Sequence, residues 1–228
     1  MYTLEEVIAA NAKQIHKVVD FDPEYDQLLS LDFTAANTEL TDDILADIDV
    51  FSAWIEEKLR LNNARYGIGG YNEHRTIYSR STHFDTGEEP RRLHLGVDIW
   101  APARTPIYNF YDATVQSFAN NNNFGDYGAT IILAYDIAGY KFNALYGHLS
   151  LDSLSHLEEG MLIKAGMKFA ELGNQHENGS WPPHLHFQLI KDMQGLKGDY
   201  PGVCKFNERE KYLANCPDPE LILRATFF

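Results

Sequence analysis

Two histidines stand two positions apart, His184 and His186, in the run Trp-Pro-Pro-His-Leu-His-Phe-Gln-Leu-Ile that ends at Ile190. Imidazole ligates metals when neutral and moves protons near neutral pH. In a strand, residues i and i+2 share a face, so the two rings would stand side by side, about 6–7 Å apart at Cα. Leu185, Phe187 and Leu189 would point the other way. The pair alone reads as a metal site, a general base or a histidine-rich strand. Two further places invite the same chemistry. His94 and Asp98 lie in Arg-Arg-Leu-His-Leu-Gly-Val-Asp-Ile-Trp, and His148 ends the apolar run Phe142–Tyr146 in Leu-Tyr-Gly-His-Leu-Ser. Gly96, Val97 and the following Ala101-Pro102 argue against a helix around His94. A straight strand would hold His94 and Asp98 about 13 Å apart, so they can meet only if the chain bends between them, which Gly96 permits.

Taken together, His94, Asp98, His148, His184 and His186 suit one constellation. Catalytic zinc takes three protein ligands and keeps a position open. Two further imidazoles can position water, stabilise the charge that develops on the attacked carbonyl, and protonate the leaving amine.

The elements that must position these residues are mostly strands. From Gly67 to about Ile190 short β-prone runs alternate with Gly, Pro and Asn turns, the pattern of an antiparallel β fold. The expected strands include Arg75–Tyr78, Val97–Trp100, Pro106–Tyr111, Thr114–Phe118, Ala129–Tyr135, Lys141–Tyr146, Lys168–Leu172 and His184–Ile190. Gly67, Gly69 and Gly70 read as a turn or linker. Before them lie two helical stretches. One spans residues 3–19 with Thr3 as cap. The other starts at the cap Thr41 and carries the stripe Ile44, Ile48, Phe51, Ile55 and Leu59. The expected division is an acidic, mostly helical region over 1–62 and a β domain with a C-terminal extension over 63–228.

The chain of 228 residues has a net charge of −14. Residues 1–62 hold 14 acidic and 4 basic side chains, so most of that charge sits in front. Such a balance disfavours a nucleic-acid partner, because binding would work against bulk repulsion. No apolar run is long enough for a membrane span, and the first residues have no secretory signal pattern, so a cytoplasmic location is the expectation, or a periplasmic or secreted one if a leader has been removed. Cys204 and Cys216 are read as free thiols, with a small disulfide loop as the other option.

With His-Leu-Gly-Val-Asp-Ile-Trp-Ala-Pro, Tyr-Gly-His-Leu-Ser and His-Leu-His-Phe in this order, residues 67–190 resemble the LytM/lysostaphin-type zinc metallopeptidases, which cut peptide cross-links of bacterial peptidoglycan. Ala101–Pro106 and Leu157–Gly166 resemble the family's turn and paired-glycine hairpin. The resemblance implies a mainly β fold, an antiparallel lysostaphin-like domain with a groove for an extended peptide. It implies zinc as cofactor, held by His94, Asp98 and His186, with His148 and His184 as catalytic histidines and a peptide or peptidoglycan stem peptide as partner. Tyr71, Tyr78, Tyr127 and Tyr146 are candidate oxyanion helpers. Asp22, Asp42 or Asn62 could reach the open metal position if the front segment blocks the groove.

The sequence departs from the family at Arg104 and Ala113, where Gly is usual, and in the bulky loop Gly173–Pro183 with His176 and Trp181. His176 is the best remaining histidine for a substrate contact. Gly69–Tyr78, Gly198–Val203 and Asn215–Leu223 resemble more loosely the flanks of such domains in intracellular multidomain proteins that also carry kinase-like and aminotransferase domains. A small-amide metallohydrolase and a non-catalytic peptide-binding module are the other readings. A cupin-type oxygenase is excluded, since no Glu follows His186 at the needed spacing and no later His exists.

Overall fold

The computed structural model describes residues 2–85 and 87–227. The strands are β1 (Leu28–Leu31), β2 (Tyr66–Gly69), β3 (Leu93–His94), β4 (Val97–Trp100), β5 (Pro106–Tyr108), β6 (Ala113–Asn121), β7 (Gly128–Ile137), β8 (Tyr140–Leu149), β9 (Leu162–Ile163), β10 (Lys168–Glu171), β11 (His184–Ile190) and β12 (Val203–Cys204). The helices are α1 (Leu4–Asn11), α2 (Asp42–Ala46), α3 (Ile48–Leu61), α4 (Arg209–Asn215) and α5 (Glu220–Phe227). One large sheet runs β1-β2-β4-β11-β8-β7-β6-β9, and the pairs β5–β10 and β3–β12 stand apart from it. Its neighbours are antiparallel except β1 and β2. The fold is thus mainly β, as the strand pattern and the resemblance imply.

The alternation of β11 works as expected. Leu185, Phe187 and Leu189 enter the main core with Val97, Ile99, Ala144 and Tyr146, and α1 and α5 contribute Leu4, Val7, Ile8, Ile222 and Leu223 to it. A second cluster joins Phe33, Phe51 and Ile55 of the front segment to Ile77, Tyr78, Phe84, Trp100 and Trp181. Phe33 and Phe51 lie against Trp100, with ring centroids 5.1 and 6.1 Å away.

Three local expectations are corrected. Gly67 and Gly69 do not form a linker but belong to β2, where close packing demands them, while Gly70 lies just past its end. A Cβ on Gly67 would sit 2.5 Å from Leu31 Cδ1, and one on Gly69 2.7 Å from an Arg75 nitrogen. Arg75–Tyr78 is not a strand. The chain leaves the sheet to send the Arg75 side chain inward, and Ile77–Arg80 forms a 3-10 turn. The second helical stretch breaks at Asp47, whose carboxylate accepts from the backbone of Asp49 and Val50 and so starts α3 afresh. Cys204 and Cys216 are both free and buried.

Candidate active site

Three adjacent strands assemble the site. In the β4–β11 register His186 faces Asp98 and His184 faces Trp100, while in β8–β11 His186 faces Gly147, just before His148. His94 arrives separately. The chain turns at Leu95–Gly96, so β3 pairs with β12 rather than continuing β4. That bend brings His94 Nε2 to 3.2 Å from Asp98 Oδ1. Gly96 also lets the backbone approach the site closely, since a Cβ there would meet His186 Cε1 at 2.7 Å.

His94, Asp98 and His186 are buried and form a tight triangle. His94 Nε2 lies 2.9 Å from His186 Nδ1, which lies 3.1 Å from Asp98 Oδ1. The outer atoms set the protonation. His94 Nδ1 donates to the Gly70 carbonyl at 2.8 Å. Gln188 donates its amide to the Pro201 carbonyl and to Cys216 Sγ, so its oxygen accepts from His186 Nε2 at 2.9 Å. Both inward ring nitrogens therefore carry lone pairs, and they converge with a carboxylate oxygen. Three acceptors so close need a cation between them, and two nitrogens with one oxygen form a donor set suited to zinc. The residues fit the metal that the resemblance implies.

The remaining lone pairs of Asp98 are covered by Arg75, whose fully buried guanidinium bonds Asp98 Oδ2, Glu73 at 2.6 Å and the Tyr78 hydroxyl at 3.3 Å. Burial alone would raise the Asp98 carboxyl, but positive charge beside it, with the Arg75 guanidinium bonded to its Oδ2, holds it well below the usual carboxylate range. Burial and Arg75 push His94 down to about 4.

His148 and His184 lie beside this triangle with ring centroids 4.1 Å apart. His148 has φ of +62°, a left-handed backbone that is uncommon outside glycine and often found at functional sites. Its Nδ1 donates to the Asn178 carbonyl at 2.8 Å, and His184 Nδ1 donates to the Pro182 carbonyl at 2.8 Å. Each keeps Nε2 for the cavity. Trp100 stacks on His184 at 4.0 Å and fixes its plane. Burial, helped by neighbouring His184, holds His148 well below the normal imidazole range, and burial takes His184 down to about 4.

These shifts predict a pH dependence of stability. Unfolded imidazoles take up protons below about 6.5, whereas His94 and His184 resist until about 4. Between those values the unfolded chain binds more protons, so stability falls as pH drops, by up to about 1.4 kcal/mol per unit for each group. The melting temperature of the metal-free protein should drop by several degrees between pH 7.5 and 5; a level profile would contradict buried neutral histidines.

The five residues singled out in the sequence all meet here. Other candidates divide. Tyr78 and Tyr127 line the cavity. The Tyr71 hydroxyl instead donates to the Cys216 carbonyl, and Tyr146 bonds Tyr135 within the core. His176 is exposed on its loop, and Trp181 of the same loop lines the cavity in its place. Asp22, Asp42 and Asn62 stay away. Among the described residues no side chain of 1–62 lines the cavity, and Asn62 is occupied with the Lys58 carbonyl. Two of the departures from the family pattern are joined, since Arg104, left-handed at φ +69°, pairs with Glu177 of the bulky loop at 2.9 Å. Sequence reasoning missed Gln188 and Arg75. Gln188 continues the alternation of His184 and His186, a signal that was present. Arg75 had none, because only the fold carries it to Asp98.

The sheet gathers His94, Asp98 and His186 into a buried group able to hold a metal ion. Residues 92–198 match the sequence profile described as Peptidase family M23. Among solved structures the chain is similar to a zinc-containing peptidase from Vibrio cholerae, with 26% identity over 43% of this chain and 27% of that one and a TM-score of 0.34. It is similar to the catalytic domain of the prophage-encoded protein EnpA from Enterococcus faecalis, with 26% identity over 48% and 79% of the chains and a TM-score of 0.36. The lysostaphin catalytic domain from Staphylococcus simulans shares 21% identity over 71% and 96%, with a TM-score of 0.40. No curated protein matches the chain. Among the described residues no helix is long and apolar enough to cross a membrane.

Proposed function

We propose that the protein is a zinc-dependent hydrolase of peptide amide bonds, with peptidoglycan stem peptides as the default substrate class. The observation that carries this is the convergence of three proton-free acceptors, His94 Nε2, Asp98 Oδ1 and His186 Nδ1, beside two imidazoles locked in one tautomer. Those three atoms would hold the zinc. Zinc, when bound, supplies Lewis-acid polarisation of the amide carbonyl and activation of water.

The chain's own groups supply the rest. His148 and His184 point their hydrogen-free Nε2 atoms at the cavity and accept the proton that water gives up as its oxygen attacks the carbonyl carbon. Rings 4.1 Å apart hold two positive charges poorly, so the pair carries one proton at a time. That proton passes to the amide nitrogen as the carbon–nitrogen bond breaks, leaving a carboxyl group and a free amine. The Asn178 and Pro182 carbonyls keep both rings oriented throughout. Gln188 and Gly70 do the same for the metal-side rings.

Chelation should abolish hydrolysis of stem peptides, and one equivalent of zinc should restore it, followed by metal analysis and release of free amines. A purified protein that takes up no zinc and cleaves no peptide would sink the proposal in favour of a binding module.

A further inference from the structure

Resting on that reading, we infer that the site takes the end of a short peptide rather than the middle of an extended or cross-linked one. The observation is a partial roof. The walls that carry the chemistry come from the stretch matching the family, but the half-open cavity is also lined by Ile77, Tyr78, His83, Phe84 and Arg91 and by the strap 199–203. Both segments lie immediately outside residues 92–198.

The roof is bonded to both rims. Ser81 Oγ donates to the Phe124 carbonyl at 2.7 Å, and Arg80 Nη1 donates to the Ser180 carbonyl at 2.9 Å. Tyr78 packs on Phe84 at 4.6 Å, and Trp181 meets Tyr78 edge-on at 6.1 Å. The second strap is held by β3–β12 pairing and by the Tyr127 hydroxyl, which donates to the Tyr200 carbonyl at 3.1 Å. What remains is a cavity of about 140 Å³ with every proposed reacting side chain at 5% exposure or less. Pockets that bury drug-sized ligands hold roughly 300–1,000 Å³. An extended chain needs about 13 Å of open groove for four residues on each side of the bond. A chain end needs only one entrance. The lining holds both a guanidinium, Arg91, and carboxyl groups, Asp126 and Asp199, so it offers partners to a free terminus of either kind.

The test compares a short stem peptide with free ends, a long peptide holding the same bond about four residues from either blocked end, and intact sacculi. The wild-type protein should prefer the short peptide by on the order of 100-fold in kcat/KM. Phe84→Ala and Tyr78→Phe/Phe84→Ala should narrow that ratio by about tenfold or more. Equal rates on short and long substrates, or release from sacculi at the short-peptide rate, would overturn the inference. Calorimetric binding of the two peptides to the protein as purified tests the same preference without turnover, tighter binding of the short one supporting it and equal binding overturning it. Size discrimination without zinc uptake would retire the hydrolase reading and leave the chamber. Zinc-dependent cleavage without discrimination would retire the chamber alone.

Discussion

His186→Ala should purify without zinc, whereas His184→Ala should bind about one equivalent and lose hydrolysis by on the order of 10²–10⁴ in kcat/KM. The two side chains are neighbours on one face of β11 and almost equally buried, so the contrast tests roles rather than packing. His186 Nδ1 is within 3.1 Å of both other members of the triangle. Removing it leaves two donors and an unpaired Gln188 oxygen. His184 instead stacks on Trp100 and neighbours His148, and its loss leaves the triangle whole. Metal content by mass spectrometry and initial rates on stem peptides read both. Equal loss of zinc in the two variants would refute the division.

The second large effect lies outside the residues that do chemistry. Arg75→Met should destabilise the metal-free protein by about 3–5 kcal/mol, the usual result of removing one partner of a buried ion pair. Arg75 is fully buried and serves Asp98, Glu73, Tyr78 and the Gly70 carbonyl together. Without it Asp98 loses its ion-pair partner in the interior and part-buried Glu73 loses its own. For a chain of this length that loss corresponds to a melting temperature lower by roughly 6–20 °C. Arg75→Lys should recover part of it, because it keeps the charge and loses the planar fork. Urea titration measures both, and a loss below about 1 kcal/mol for Arg75→Met would show that the pair contributes little.

Much of the site is legible in the sequence. The alternation His-Leu-His-Phe announces one chemical face and one core face, and both are found. The bend that His94 and Asp98 require is found at Leu95–Gly96. The expected strands match closely where a run of apolar residues packs on a sheet, as for Val97–Trp100 and His184–Ile190. They fail where side-chain destinations override propensity. Arg75–Tyr78 looks β-prone, but a guanidinium that must reach Asp98 draws the chain out of the sheet. Gly67 and Gly69 look like a turn, but are glycines because Leu31 and Trp100 leave no room for a Cβ.

The sequence by itself determined the mainly β class, the residue types able to hold a metal and move a proton, and their arrangement within each motif. These follow from periods of two along a strand and from the chemistry of imidazole and carboxylate, both local properties. Only the tertiary structure decided which strands lie side by side, and so that Asp98, His186 and His148 come from three neighbouring strands. It alone decided the tautomers, because Gly70, Gln188, Asn178 and Pro182 are brought to the rings by folding. It alone brought the segments on either side of residues 92–198 to line the cavity. The physical reason is common to all three: hydrogen-bond partners and closing walls are long-range contacts, and nothing in a local pattern specifies which distant segment will supply them.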